Sequence, residues 1–186
     1  YVSTTSVFDS DHYSELADVF ENSDLPYHED LRGGYPQSKY VAEKLVMNAR
    51  KRGVPSSIYR CGYITGHSET GVWNPDDYLC RMIKGCIQIG MFPDFPKTKL
   101  DMSPVDFVSR AIVALMLKKE SITTHKAYHM VNPNEFFFND LFGTANRLGY
   151  NIKPADIEVW KKALFDSVAQ SKADDESRNA LYPMLT

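Results

Sequence analysis

Tyr35 and Lys39 stand four residues apart in Tyr35-Pro-Gln-Ser-Lys39. On a helix that spacing stacks the two side chains on one face, one turn apart. The pairing has chemical content. An ammonium beside a phenol favours the phenolate, so the phenol can give and take a proton nearer neutral pH. The same ammonium can donate hydrogen bonds to a ribose. Spacing alone is weak, because about one Tyr/Lys pair four apart is expected by chance in a chain of this composition. A second pair, Tyr40 and Lys44, does occur. Helix geometry separates the two. Tyr35, Lys39, Ala42, Val46 and Ala49 share one face, with Ser38 and Leu45 beside them. Tyr40, Lys44 and Lys51 lie opposite. The first face is small and apolar and is expected to turn inward. The second is charged and is expected to be solvated.

Such a pair needs a helix held against a sheet. The pattern predicts a helix over 36–52, stopped at Gly53 with Pro55 beyond it. Upstream, Tyr1-Val-Ser-Thr-Thr-Ser-Val-Phe8 reads as a strand over 1–8, followed by a polar, acidic stretch at 9–34 that ends in Gly33-Gly34. Downstream come a short strand at 56–60, a loop at 61–75, a helix at 76–88 and a Pro-rich connection at 92–104. Val105, Val108, Ile112, Leu115 and Met116 recur with helical spacing over 105–118. A strand at 126–131, helices at 138–148 and 156–171, and a polar tail complete the pattern. Strands separated by helices imply a parallel sheet of βαβ crossovers, in which strand ends and helix starts share the edge where ligands bind. A Thr hydroxyl at the end of the first strand could bond a substrate oxygen there while Tyr35 protonates it. The glycines of Arg60-Cys-Gly-Tyr-Ile-Thr-Gly66 permit close backbone approach. Only about three strands are expected, and so small a parallel sheet has open edges. The first residue is Tyr1, inside a strand already under way, so the chain reads as a piece of something longer.

The 186 residues are 43% apolar, 12% aromatic and 24% charged, with a net charge of −3. Those fractions fit a folded domain with a real core. Nothing in that balance forces a basic face, so no nucleic-acid partner is expected. No apolar run approaches the ~20 residues of a membrane span, and no charged-then-apolar leader is seen. Cys61, Cys80 and Cys86 are an odd set without CxxC spacing, which favours neither a disulfide framework nor a zinc site and points to the cytoplasm. No metal site is expected, and His125 and His129 are read as packing or surface residues. Asp76 and Asp77, after Pro75, read as a helix N-terminal cap. Arg60, Gly62 and Tyr63 are left between shaping a turn and lining a cofactor. Phe92, Phe95 and Phe136-Phe137-Phe138 read as core or channel wall.

The chain also resembles a known family. Val2-Ser-Thr-Thr-Ser-Val-Phe8, Gly33-Gly-Tyr-Pro-Gln-Ser-Lys-Tyr-Val-Ala-Glu43 and Arg60-Cys-Gly-Tyr-Ile-Thr-Gly66 look like the later half of an extended short-chain dehydrogenase/reductase. Gly71-Val-Trp-Asn-Pro-Asp-Asp77, Lys84-Gly-Cys-Ile-Gln-Ile-Gly90, Pro93-Asp94 and Met102-Ser-Pro-Val-Asp106 are similar to the thioester reductase domains of nonribosomal peptide synthetases, polyketide synthases and aminoadipate reductases. The resemblance covers about residues 1–150, and the residues after it carry no motif.

The resemblance implies an α/β chain: the C-terminal portion of a Rossmann-type doubly wound parallel sheet plus a small, mostly helical substrate lobe. Residues 1–66 would be the later half of the NAD(P)-binding domain and 67–104 a substrate-lobe insertion. Residues 105–135 would return to the Rossmann domain, and 136–186 would form the C-terminal lobe and tail. It further implies Thr4, Tyr35 and Lys39 as catalytic groups, with Thr5 as runner-up for the hydroxyl. Tyr35, Lys39, Gly62, Tyr63 and Ile64 would face NADP(H). The implied activity is reductive release of an acyl thioester, carried on the phosphopantetheine arm of an acyl carrier domain, to an aldehyde or alcohol. Alternatives are a nucleotide-sugar epimerase or dehydratase, a free fatty acyl-CoA reductase, and a non-catalytic fragment. Two departures stand out. Cys61 occupies a position where most relatives have Pro, which implies altered loop rigidity. No GxxGxxG occurs in the chain, so the pyrophosphate site is expected to precede residue 1.

Overall fold

The structure, a computed structural model, describes residues 1–16, 18–23, 25–118, 126–134, 136–170 and 178–184. In chain order its elements are β1 (Val2–Thr4), α1 (Asp11–Ser14), α2 (Gly34–Lys51), β2 (Ile58–Cys61), β3 (Tyr63–Thr65), α3 (Tyr78–Ile89), β4 (Met91–Pro93), β5 (Lys99–Leu100), β6 (Met102–Pro104), α4 (Val105–Met116), β7 (Ala127–Met130), β8 (Phe136–Phe137), α5 (Phe138–Arg147), β9 (Lys153–Ala155) and α6 (Ile157–Gln170). They fall into two units: Tyr1–Ile64 with Met102–Pro133, and Thr65–Asp101 with Asn134–Thr186.

The first unit is built on a parallel sheet in the order β1-β2-β7. Its register places Ser3 beside Arg60 and Arg60 beside His129. Successive strand residues point to opposite faces, so these three side chains form one row on one face. On the other face Tyr59 and Tyr128 stack at 5.7 Å. All four residues of β2 are buried, as a central strand covered on both faces should be. α2 is the crossover between β1 and β2, and its end falls where the sequence predicts: Gly53, at φ 84°, takes the left-handed conformation that glycine adopts without a Cβ clash.

The inward face of α2 differs from the expected one. Tyr40 and Glu43 are its buried residues, and Tyr40 joins Val7, Leu25 and Leu31 in a core flanked by Phe8 and Met47. Tyr35 is exposed, as are Val41 and Leu45. The expectation rests on small and apolar side chains alone. What decides the face is partnership. The Tyr40 hydroxyl donates to the Leu25 carbonyl at 2.7 Å, so its ring is buried without orphaning the phenol. Val7 and Leu25 are fully buried and contribute roughly 1.5–3 kcal/mol each.

The first strand is also shorter than predicted. It ends at Thr4, whose Oγ1 accepts the Ser6 N–H at 3.2 Å and opens a 3₁₀ turn over Thr5–Phe8. A hydroxyl that caps a turn competes with further extension of the strand, and the turn carries Val7 into the core. The stretches at 61–75 and 92–104, expected to be irregular, contain β3 and the strands β4, β5 and β6. Each is two or three residues long, too short for a periodic signal.

The second unit packs three helices around two small strand pairs. β4 runs parallel to β9, and β5 antiparallel to β8. Asp77 caps α3 by accepting from Leu79 and Cys80 N–H, which agrees with its reading as a cap. Phe92 stacks on Phe142 at 4.3 Å, and Phe142 meets Phe138 at 5.3 Å. Of the stretch expected to be a polar tail, residues 178–184 are described, and they return to this core. Asn179 and Leu181 are buried, and the Asn179 amide donates to the Gly85 carbonyl at 3.0 Å. Gly85 makes that approach possible: a Cβ there would lie 2.7 Å from both Asn179 Oδ1 and Leu181 Cγ.

Two glycine substitutions should therefore act in opposite directions. Gly85→Ala should destabilise by about 1–3 kcal/mol through overpacking. Gly143→Ala, within α5 and with nothing within 4 Å of the added methyl, should stabilise by up to about 1 kcal/mol. Denaturant unfolding of the two variants reads both signs.

Candidate active site

In a parallel sheet the C-terminal ends of strands and the N-terminal ends of crossover helices gather at one edge. β1 ends at Thr4, whose register partner on β2 is Cys61. Gly62 follows directly, and its N–H donates to the Met130 carbonyl at 3.3 Å. α2 begins at Gly34 and carries Tyr35 in its first turn. The six residues predicted from sequence thus sit on elements that open at one edge of the first unit.

Tyr35 and Lys39 are brought together as the spacing requires. The Lys39 ammonium lies 5.9 Å from the centre of the Tyr35 ring and 5.6 Å from that of Tyr1. It donates to the Val2 carbonyl of β1 at 3.2 Å. Tyr35 is 58% exposed, so its phenol is open to a reactant. Thr4 is 6% exposed and uses its oxygen as an acceptor, which leaves its O–H to donate. Thr5 directs its own O–H at the Cys61 carbonyl, 3.5 Å away. That difference favours Thr4 as the hydroxyl able to meet a substrate oxygen. Tyr63 is exposed, and Gly62 and Ile64 are half-buried.

Sequence reasoning misses a buried polar cluster behind these groups. Glu43, on α2, accepts from Arg60 Nε at 2.9 Å and Arg60 Nη2 at 2.5 Å, both on Oε1. Its Oε2 accepts the Ser3 hydroxyl at 2.6 Å. Glu43 and Arg60 are both 0% exposed. Arg60 Nη1 reaches His129 Nε2 at 3.2 Å and the Glu21 carbonyl at 3.3 Å. A guanidinium has only donors, so His129 Nε2 must be the acceptor and the imidazole neutral. The His129 main-chain N–H donates to Glu21 Oε1 at 2.8 Å. Burial, and then the Arg60 charge, hold His129 below the ordinary imidazole value. One signal is available in the sequence: an arginine inside an otherwise apolar strand is buried only when paired.

Exposed Tyr35 and half-buried Lys39 are donors that suit an oxygen-rich ligand such as a ribose and a carbonyl. A separate cleft of about 1020 Å³, lined by Met47, Arg50, Arg60, Lys126 and Tyr128 among others, includes none of the six. Among the described residues no three His, Cys, Asp or Glu side chains are grouped to hold a metal ion, and no helix is long and apolar enough to cross a membrane.

Comparison with known proteins bears on the family and the fold. An NAD-binding family model described as Male sterility protein matches residues 1–112. The large subunit of L-2-aminoadipate reductase from Candida glabrata is 37% identical over 100% of this chain and 14% of its own length. A subunit of the linear gramicidin synthase of Brevibacillus parabrevis is 38% identical over 95% of this chain and 3% of its own. The crystal structure of the terminal R domain from the myxalamid PKS-NRPS pathway superposes with a TM-score of 0.82 at 40% identity, covering 92% of this chain and 42% of that one. The Rossmann-type α/β fold is thereby shown. The chain spans a small part of the curated relatives it matches.

The His129 contact sets a pH dependence. Its value in the folded state lies below the unfolded one, near 6.5. Protonation would put a second positive charge against Arg60. Stability from this group is complete above about pH 6.5 and is lost as the pH falls from there through the folded value. Unfolding midpoints at pH 7.5 and 5.5 should drop more for the wild-type chain than for His129→Gln, which does not titrate.

Proposed function

The chain belongs to the NAD-binding family described as Male sterility protein, and from that premise we propose that it carries the catalytic half of an NADP(H)-dependent thioester reductase domain. Its substrate is an acyl thioester on the phosphopantetheine arm of an acyl carrier domain, and its product is an aldehyde or, after a second round, an alcohol. Its setting is the cytoplasm. The observation that carries this reading is the Tyr35–Lys39 pair, one helical turn apart with Tyr35 exposed and Lys39 half-buried, against the strand that ends in Thr4. The kinship with reductases that end or belong to large synthases supports the choice of substrate.

The roles follow from the donors. Tyr35 and Lys39 hold the nicotinamide ribose, and Gly62, Tyr63 and Ile64 line the cofactor from the end of β2. When bound, NADPH supplies the hydride that adds to the thioester carbon. Thr4 and Tyr35 donate hydrogen bonds to the carbonyl oxygen, where negative charge develops. Tyr35 transfers its proton to that oxygen, and the Lys39 charge stabilises the phenolate left behind. The resulting hemithioacetal loses its hydroxyl proton as the C–S bond breaks, the carbonyl re-forms, and the sulfur leaves as the free thiol of the carrier arm. The second unit, in which Phe92 stacks on Phe142 and Phe138 meets Phe142 at a tilt, belongs to the substrate lobe.

In the protein that carries the whole reductase domain, Tyr35→Phe should lower kcat for thioester-dependent NADPH oxidation by about 10²–10⁴-fold, the range of a positioned general acid. Retention of most of the rate would remove Tyr35 from this role.

A further inference from the structure

Glu43 divides its carboxylate between two strands. Oε1 takes two donors from Arg60 on β2, and Oε2 takes the Ser3 hydroxyl on β1. Each partner is next to a proposed site group. Ser3 precedes Thr4, and Arg60 lies two residues before Gly62. Glu43 follows Lys39 by four residues and Tyr35 by eight, so the three lie within about 12 Å along the helix at 1.5 Å per residue. Arg60 is itself held on every side, by the His129 ring, the Glu21 carbonyl and the Phe8 ring 4.8 Å from its guanidinium carbon.

We propose that Glu43, with Ser3 and Arg60, is a positioning residue that fixes the rotation and height of α2 on the sheet and so sets Tyr35 and Lys39 against Thr4. This rests on the reading of those three as the reacting groups. Stability is a poor reason for such a cluster, because apolar side chains of the same volume often serve a core as well or better than a buried ion pair. Directionality is the better reason. Apolar contacts tolerate a small rotation of a helix. A carboxylate bonded on both oxygens to adjacent strands does not, since turning α2 by one residue, about 100°, carries Glu43 away from both partners. Displacements near 1 Å in reacting groups lower rates by about 10²-fold, so a device of this kind acts on kcat.

Ser3→Ala and Glu43→Gln test this in the protein that carries the whole reductase domain, with Tyr35→Phe measured beside them. Ser3→Ala keeps the ion pair and removes only the bond to β1. It should fold and lose at least tenfold in kcat, with KM for the thioester within twofold of wild type. Ser3→Thr, which restores a hydroxyl, should recover most of that loss. Glu43→Gln should lose more in kcat, and if it does not fold, Ser3→Ala decides alone. Wild-type kcat in Ser3→Ala, or a loss confined to KM, overturns the positioning role. If Tyr35→Phe is inactive while Ser3→Ala is not, only the positioning inference falls. If Tyr35→Phe is active, the reading beneath it falls as well.

Discussion

A fully buried charge pair, Glu43 with Arg60, stands at the centre of the first unit. Neither charge could remain there alone, since an isolated ion in a low-dielectric interior is expensive enough to neutralise or to unfold its surroundings. Each oxygen and nitrogen of the pair is therefore answered by a neighbour, and the neighbours belong to the elements of the proposed site. Ser3 belongs to the strand that ends in Thr4, Arg60 to the strand that leads into Gly62, and Glu43 to the helix that begins with Tyr35. His129 closes the row from the third strand. The register of three parallel strands lines up Ser3, Arg60 and His129, and the helix above lowers one carboxylate onto them.

The arrangement separates what must be fixed from what must be reachable. On one side of α2, Tyr40 and Glu43 are buried and fully bonded. One turn before Glu43 on the same stripe, Lys39 leans on the Val2 carbonyl, and one turn before that Tyr35 stands open. A residue that exchanges protons with a ligand has to be accessible, whereas the residues that aim it have to be immobile. In the proposed arrangement the stripe Tyr35–Lys39–Glu43 meets both demands along the helix, open in its first turn and buried in its third.

Much of this is legible in the sequence, for physical reasons. A Tyr and a Lys four apart, after a double glycine and before a long helical run, place a proton donor beside a cation whatever the tertiary details. Alternation of strands and helices gives a parallel sheet, and Thr4 is found at a strand end as its motif suggests. Counting small and apolar residues misreads the face of α2, because what buries a side chain here is a partner for its polar atom: a carbonyl for Tyr40, and Ser3 with Arg60 for Glu43. No local pattern links residue 43 to residues 3 and 60. That contact exists only once the register of the sheet is known. Extension of the first strand to Phe8 fails because the Thr4 hydroxyl competes for the backbone. The return of Asn179 and Leu181 onto Gly85 leaves no periodic trace.

The most direct measurement is a crystal structure of the protein that carries this chain with its dinucleotide phosphate site, bound to NADPH and a non-hydrolysable thioester analogue. The account predicts the analogue's carbonyl oxygen within about 2.6–3.2 Å of both the Tyr35 and Thr4 hydroxyls, with Lys39 moved from the Val2 carbonyl to the ribose. A carbonyl oxygen beyond reach of both hydroxyls, or a ribose held by other residues, would contradict it.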